Sequence, residues 1–187
     1  AEGAAYIVAD GGADAWAGRD GQIALWINGG WEFVPPRRGW RGLDLQSGGG
    51  LLFDGADWIP DALVASAGGA ATRHRVVELD HLLGTGPTSE VAGAIPADSQ
   101  VVGVTARVTA AIGGTATGWS LGVAGSPDRY GSGLGVGVNS YAAGLTGAPV
   151  SYYAETALRL TAEGGEFDGG SVRLAIHLLA LRPPRSV

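Results

Sequence analysis

The sequence predicts an all-β protein in two parts, a small tryptophan-rich β-hairpin module followed by a jelly-roll-like β-sandwich. Three observations carry this expectation. Over residues 101–112 the apolar positions alternate with period two. Val102, Val104, Ala106, Val108, Ala110 and Ile112 make one face and Gly103, Thr105, Arg107 and Thr109 the other, the pattern of a half-buried strand. Turn-forming clusters interrupt the second part at short spacing, which suits about eight short strands in a sandwich or jelly roll. Of six tryptophans, five (Trp16, Trp26, Trp31, Trp40 and Trp58) precede residue 59, and only Trp119 lies beyond.

Residues 1–60 form the first module. Leu25-Trp26-Ile27-Asn28-Gly29-Gly30-Trp31 is echoed by Leu52-Phe53-Asp54-Gly55-Ala56-Asp57-Trp58. Asn-Gly and Asp-Gly tolerate the positive backbone angles of tight hairpin turns, and the flanking aromatics would face each other across the strands. Residues 61–73 include DALVASAGGAAT, small side chains with little to bury, and read as a linker. The sandwich takes 74–187, with strands expected at 74–79, 101–112, 118–124, 134–140, 150–154, 157–162 and 172–181. Turns are expected at 113–115, 125–128, 144–147 and 163–165. The strand at 172–181 sets Leu174, Ile176 and Leu178 against Ala175, Leu179 and Leu181; apolar on both faces, it reads as central or doubly covered. Gly131, Gly133, Gly135 and Gly137 alternate with Ser132, Leu134, Val136 and Val138. That predicts a strand with one bare face, open to close approach by another backbone or a ring.

Composition narrows the function classes. All 12 basic residues are arginine, and 18 carboxylates bring the formal charge to -6, which repels phosphate backbones and argues against a nucleic-acid module. Absence of cysteine excludes disulfides, thiolate metal sites and cysteine nucleophiles. No apolar run has the length of a spanning helix, so no membrane insertion is expected. The first ten residues lack the order of a signal peptide. With no methionine, either the initiator was removed or the sequence is a piece of a longer chain.

Several constellations invite a chemical reading. Gly118-Trp119-Ser120-Leu121-Gly122 matches the Gly-x-Ser-x-Gly nucleophile elbow, with Asp168 and His177 following in hydrolase order. The elbow needs a strand turning into a helix, and Gly122, Gly125 and Pro127 leave no room for one, so no catalytic residue is assigned. His74, His81 and His177 have no metal-ligand spacing, and His177 reads as a satisfied histidine of an apolar strand. Glu163, Glu166 and Asp168, bracketed by glycine pairs in EGGEFDGG, read as a solvated turn, so no metal site is expected. The aromatics of the second part point to a ligand instead. Trp119, Tyr130, Tyr141, Tyr152 and Tyr153 lie among turns with Asp128, Arg129 and Asn139, the mix of flat apolar faces and forked polar groups that sugars require. In the adjacent pair Tyr152 and Tyr153, one ring should face inward and one outward.

Tyr6-Ile7-Val8, Ala15-Trp16-Ala17-Gly18, Gly30-Trp31-Glu32-Phe33, Pro36-Arg37-Arg38-Gly39-Trp40 and the 52–58 stretch resemble the amino-terminal module of a phage-derived family. That family occurs in gene transfer agents and related phages of alphaproteobacteria. The second part is similar too, at Val102–Val108, Trp119–Val123, Asp128–Gly135, Pro149–Tyr153, Leu160–Gly165, Ala175–Leu178 and Pro183-Pro184. The resemblance implies a virion surface protein, a head spike or fibre that helps the particle adsorb to host capsular polysaccharide. It further implies partnership with host surface polysaccharide, with other particle proteins and with itself as a homo-oligomer, often a trimer. The place implied is the particle surface, extracellular after release. The family brings no catalytic residues, so neither an enzyme nor a cofactor is expected. Two rivals stand beside this reading: a purely structural capsid or fibre component, and a polysaccharide depolymerase or an esterase at Ser120.

Overall fold

The computed structural model describes residues 1–186. Among them there is no α-helix; one turn of 3-10 helix covers Asp14–Trp16, and nearly everything else that is regular is antiparallel strand. The chain forms two units, residues 1–73 together with 181–186, and residues 74–180.

In the first unit, β1 (Ala5–Ile7), β2 (Ile23–Ile27) and β3 (Gly30–Val34) make one sheet, and β4 (Arg41–Leu43), β5 (Gly50–Phe53) and β6 (Trp58–Pro60) a second. The two hairpins read from the sequence are both present. Trp26 pairs with Trp31 across Asn28-Gly29, and Phe53 pairs with Trp58 across the 54–57 turn. Asn28 and Gly29 have φ of 52° and 76°, the left-handed pair that a two-residue turn demands. The paired rings meet at 5.0 Å and 5.2 Å between centroids. Trp16, delivered by the 3-10 turn, stands edge-on to Trp31 at 5.1 Å, and Tyr6 lies 6.0 Å from both. Ala24 is wholly buried on this face, while the four tryptophans of the cluster and the second hairpin stay half-buried.

Residues 61–73, expected as a linker, are built into this unit. β7 (Ala62–Ala65) pairs with the first residues of β8 (Ala71–Leu82), and Ala62 and Ala71 join Leu52 and Ile59 in a small core. Small side chains there serve a tight hairpin, closed by Ser66 N–H donating to the Ala70 carbonyl at 2.8 Å. The far end of the chain belongs here too, so the sandwich stops at residue 180. Arg185 N–H donates to the Gly68 carbonyl and its guanidinium to the Ala67 carbonyl, and the guanidinium also reaches Asp54 at 2.5 Å. The Asp54 side chain is fully shielded from solvent. Burial pushes its pKa up, but N–H groups of Asp57 and Ala56, then Arg185, outweigh burial and hold the carboxyl below the usual range.

The second unit contains β8 from His74 on, β9 (Thr85–Gly86), β10 (Thr88–Ile95), β11 (Ser99–Ala110), β12 (Gly118–Val123), β13 (Ser126–Leu134), β14 (Tyr141–Tyr152), β15 (Thr156–Glu163), β16 (Phe167–Asp168) and β17 (Ser171–Arg182). The eight long strands pair as nested antiparallel couples: β8 with β17, β10 with β15, β11 with β14 and β12 with β13. That nesting is a long hairpin rolled into two sheets, the jelly roll. The sheets run β10-β15-β12-β13 and β14-β11-β17-β8. Between them lie Val104, Val108, Trp119, Leu121, Leu158, Leu160, Val172, Leu174 and Ile176, all without exposure.

Four local readings change. The register of β11 shifts between Val101 and Gly103 against both neighbours, so Val101 rather than Val102 enters the core. β13 starts at Ser126 and ends at Leu134, so Ser126–Asp128 is strand, not turn, and 135–140 is turn, not strand. Residues 144–147 lie within β14. The glycines at 131–137 do not form a bare strand face, since a Cβ at Gly133 would meet nothing and at Gly137 would only graze Ser140. Close backbone approach occurs elsewhere. A Cβ on Gly144 would collide with the Tyr130 backbone and Cβ, one on Gly103 with the Gly144 carbonyl, and one on Gly122 with Ser126 and Pro127. β17 is central, as expected, but only Val172, Leu174, Ile176 and Leu178 on one face are sealed; Ala175, His177 and Leu179 opposite are half-buried.

Candidate functional site

The eight residues predicted to bind sugar do not converge. Trp119 has no exposure, and its indole Nε1–H donates to the Gly135 carbonyl at 2.9 Å. Tyr130 and Tyr152 are buried and share a hydroxyl–hydroxyl bond of 2.7 Å. The Arg129 guanidinium donates to Tyr152 Oη at 3.2 Å and to Ser126 Oγ at 3.0 Å. Burial, then the bond to Tyr152, drives the Tyr130 phenol well above its ordinary pKa. These aromatics are core, and the expectation that their rings stack on a ligand is corrected: Tyr130 and Tyr152 take inward positions of β13 and β14, and Trp119 lies in β12, which is buried throughout. Tyr153 is the outward member of its pair, 84% exposed. Asp128 is exposed at the start of β13.

Tyr141 and Asn139 come together through a residue that the sequence reading left on a polar face. Arg107 pairs directly with Tyr141 on β14 and with Arg173 on β17. Its guanidinium lies 5.6 Å from the centroid of the Tyr141 ring and donates to the Asn139 main-chain carbonyl at 3.2 Å. Asn139, with φ of 70°, presents that carbonyl from a left-handed turn position. Arg173 grips Asp80 of β8 with two hydrogen bonds of 2.8 Å, from Nε and Nη2, and stands 3.8 Å from Glu78. The Asp80 carboxyl is held below its usual range chiefly by this bond to Arg173.

Tyr141, Arg107, Arg173 and Glu78 wall a groove of about 430 Å³ on the outer face of the β14-β11-β17-β8 sheet. Its floor is small: Thr105 sits opposite Ala143 on one side and Ala175 on the other. Thr105 Oγ1 shares a hydrogen bond of 3.1 Å with His177 Nε2, so His177 is satisfied. The groove therefore crosses the strands, with Tyr141, Arg107 and Arg173 in one row and Thr105 and two alanines in the next. Three arms of this site, Arg107, Arg173 and Glu78, escaped the sequence reading. The pairing register sets Arg107 and Arg173 in the row of Tyr141, and Glu78 joins from β8 at 3.8 Å from Arg173.

The hydrolase constellation is dispersed. Ser120 lies mid-strand in β12, 5% exposed, and β12 turns directly into β13 without a helix. His177 belongs to the opposite sheet and faces Thr105, and Asp168 accepts from Thr85 at 3.4 Å. In the 163–170 segment, Glu163 accepts from Gly133 N–H, while Glu166 is exposed. Among the described residues, no three His, Asp or Glu side chains converge as metal ligands.

Comparison with known proteins gives two likenesses. A family model described as a protein of unknown function, DUF2793, matches residues 1–59, which lie wholly in the first unit. A chain of the cyanophage Pam1 capsid asymmetric unit is similar over 59% of this chain and 84% of its own, at 22% identity and a TM-score of 0.36. No curated protein matches.

Proposed function

We propose that the protein is a surface component of a phage-related particle, a spike or fibre of the gene-transfer-agent type, whose jelly roll binds polysaccharide of the host envelope through the transverse groove. The binding half of this reading is carried by Tyr141, a ring left 66% exposed beside a groove of polar side chains. An exposed aromatic offers the CH-rich face of a sugar a stacking surface, and planar polar groups alongside meet its hydroxyls. The particle half rests on the resemblance of the 6–58 motifs, which occupy the stretch matched by the family model, and on the similar stretches of the second part. A homo-oligomer would present several grooves at once, so that modest affinities multiply. This chemistry needs no cofactor.

The test is adsorption of particles to host cells, together with retention of the purified protein on isolated host polysaccharide. Tyr141→Ala is expected to leave particle assembly intact and to weaken retention about tenfold, a loss of about 1.4 kcal/mol. Unchanged retention would move the ligand away from this groove. A second reading, a purely structural particle component, draws support from Trp119, Tyr130 and Tyr152, whose rings build the core. Normal adsorption by particles carrying Tyr141→Ala and Arg107→Ala together would favour it.

A further inference from the structure

Assuming the groove binds polysaccharide as proposed above, we infer that its ligand is an uncharged saccharide bearing vicinal hydroxyls, held between Tyr141 with Arg107 at one end and Glu78 with Arg173 at the other. The inference starts from charge. Arg107 and Arg173 stand directly opposite each other on adjacent strands, an arrangement that costs stability when like charges are left unbalanced. Here the two arginines are matched by two carboxylates, Asp80 and Glu78. A neutral groove on a chain of net charge -6 gives a polyanion no long-range attraction and some repulsion.

The hydrogen-bonding inventory points the same way. Among the described residues, Arg173 spends Nε and Nη2 on Asp80, which leaves Nη1 unspent. Arg107 spends one nitrogen on the Asn139 carbonyl and keeps Nε and Nη2. The Glu78 carboxylate, 61% exposed, approaches Arg173 only at 3.8 Å, beyond hydrogen-bonding range, so both its oxygens remain acceptors. Free donors and a free two-oxygen acceptor therefore face one trough. A vicinal diol is both donor and acceptor: two adjacent hydroxyls donate to the two Glu78 oxygens and accept from the arginine N–H groups. A carboxylate ligand would satisfy the arginines but would lie against Glu78 as a like charge. The floor of Thr105, Ala143 and Ala175 admits a flat ring, and Tyr141 stacks on it. The trough crosses from β14 to β8, three strand spacings or about 14 Å, so it runs along a chain of sugars rather than a single ring.

The full-length protein should be tested against a panel of immobilised uncharged polysaccharides (a glucan, a mannan, a galactan) and a carboxylated one, alginate, at two salt concentrations about tenfold apart. Retention is expected on at least one uncharged polymer, changing less than about twofold with salt, since no net charge is exchanged. Periodate cleavage of that polymer's vicinal diols should abolish retention, and Glu78→Gln should weaken it about tenfold while the melting temperature holds. Retention on alginate alone, falling steeply with salt, would overturn the inference and keep the polysaccharide reading. Retention that survives periodate would remove the diol. Binding to no polymer, with isolated host polysaccharide also failing, would remove the polysaccharide reading itself.

Discussion

The two units solve the same problem, closing an antiparallel fold, with different materials. The jelly roll seals an aliphatic interior in which Val104, Leu158, Leu160, Leu174 and Ile176 have no exposure, and it buries its one tryptophan completely. The first unit seals little. Trp16, Trp26 and Trp31 stack edge to face but stay half-buried, and the unit relies on a shielded carboxylate, Asp54, neutralised by an arginine from the far end of the chain. Surface-to-volume scaling explains the contrast: a small unit cannot cover a large core, so ring stacking and a polar latch take over. Stability in the jelly roll is spread over many contacts. In the first unit it is concentrated in a few.

The largest effect is expected at the centre of the better-sealed unit. Trp119→Ala removes a fully buried indole and leaves the Gly135 carbonyl without its donor, costing about 3–5 kcal/mol. Chemical denaturation followed by circular dichroism measures it. Next comes Gly144→Ala, where the added Cβ meets the backbone of Tyr130. Main chain cannot move aside as a side-chain tip can, so a cost of about 1–3 kcal/mol is expected. A neutral outcome at either position would mean that the interior is looser than the nested pairing implies.

The latch is the corresponding weak point of the first unit. Arg185→Ala leaves Asp54 shielded with only the N–H groups of Ala56 and Asp57, and a drop of several degrees in the melting of this unit is expected. Its five tryptophans report that melting by fluorescence. Acid should act at the same place. The Asp54 pKa is lowered in the folded state, so its contribution is present above the ordinary carboxylate value and is lost as pH falls below about 4 and through the folded value. Asp54→Asn should flatten that acid limb. An acid limb that persists unchanged in the variant would assign it to other carboxylates.

The sequence showed the two tryptophan hairpins, the alternation of β11 and the jelly-roll class because each is written in local periodicity or turn chemistry. It hid what depends on distant partners. Residues 61–73 looked like a spacer because alanine and glycine have little to bury, yet Ala62 and Ala71 fit a small core for that same reason. The glycines of 131–137 looked like a close-approach face, whereas the approach is made at Gly122, across the β12–β13 turn, and at Gly103 and Gly144, whose neighbours are distant in sequence. At the candidate site the aromatics were recognised by type, but inward and outward rings were separated only for Tyr152 and Tyr153, whose adjacency forces opposite faces. Trp119, Tyr130 and Tyr141 lacked that constraint. Arg107 and Arg173 became visible once cross-strand register set them in one row with Tyr141, and Glu78 through its approach to Arg173.

The smallest stability effect is expected on the outer face of the β14-β11-β17-β8 sheet. Tyr141→Ala removes an exposed ring whose one described partner is the Arg107 guanidinium, a contact of about 0.5–1 kcal/mol at an exposed site. Loss of an exposed aromatic otherwise changes stability by less than about 0.5 kcal/mol, so the net shift should be near the limit of measurement. Compared with Trp119→Ala in the same domain, this change separates a ring kept for packing from one available for contact. A large destabilisation by Tyr141→Ala would make the ring part of the scaffold and erase the distinction between the faces. A small one, coupled to weakened retention on polysaccharide, would mean that the sheet keeps one face for its core and the other for its ligand.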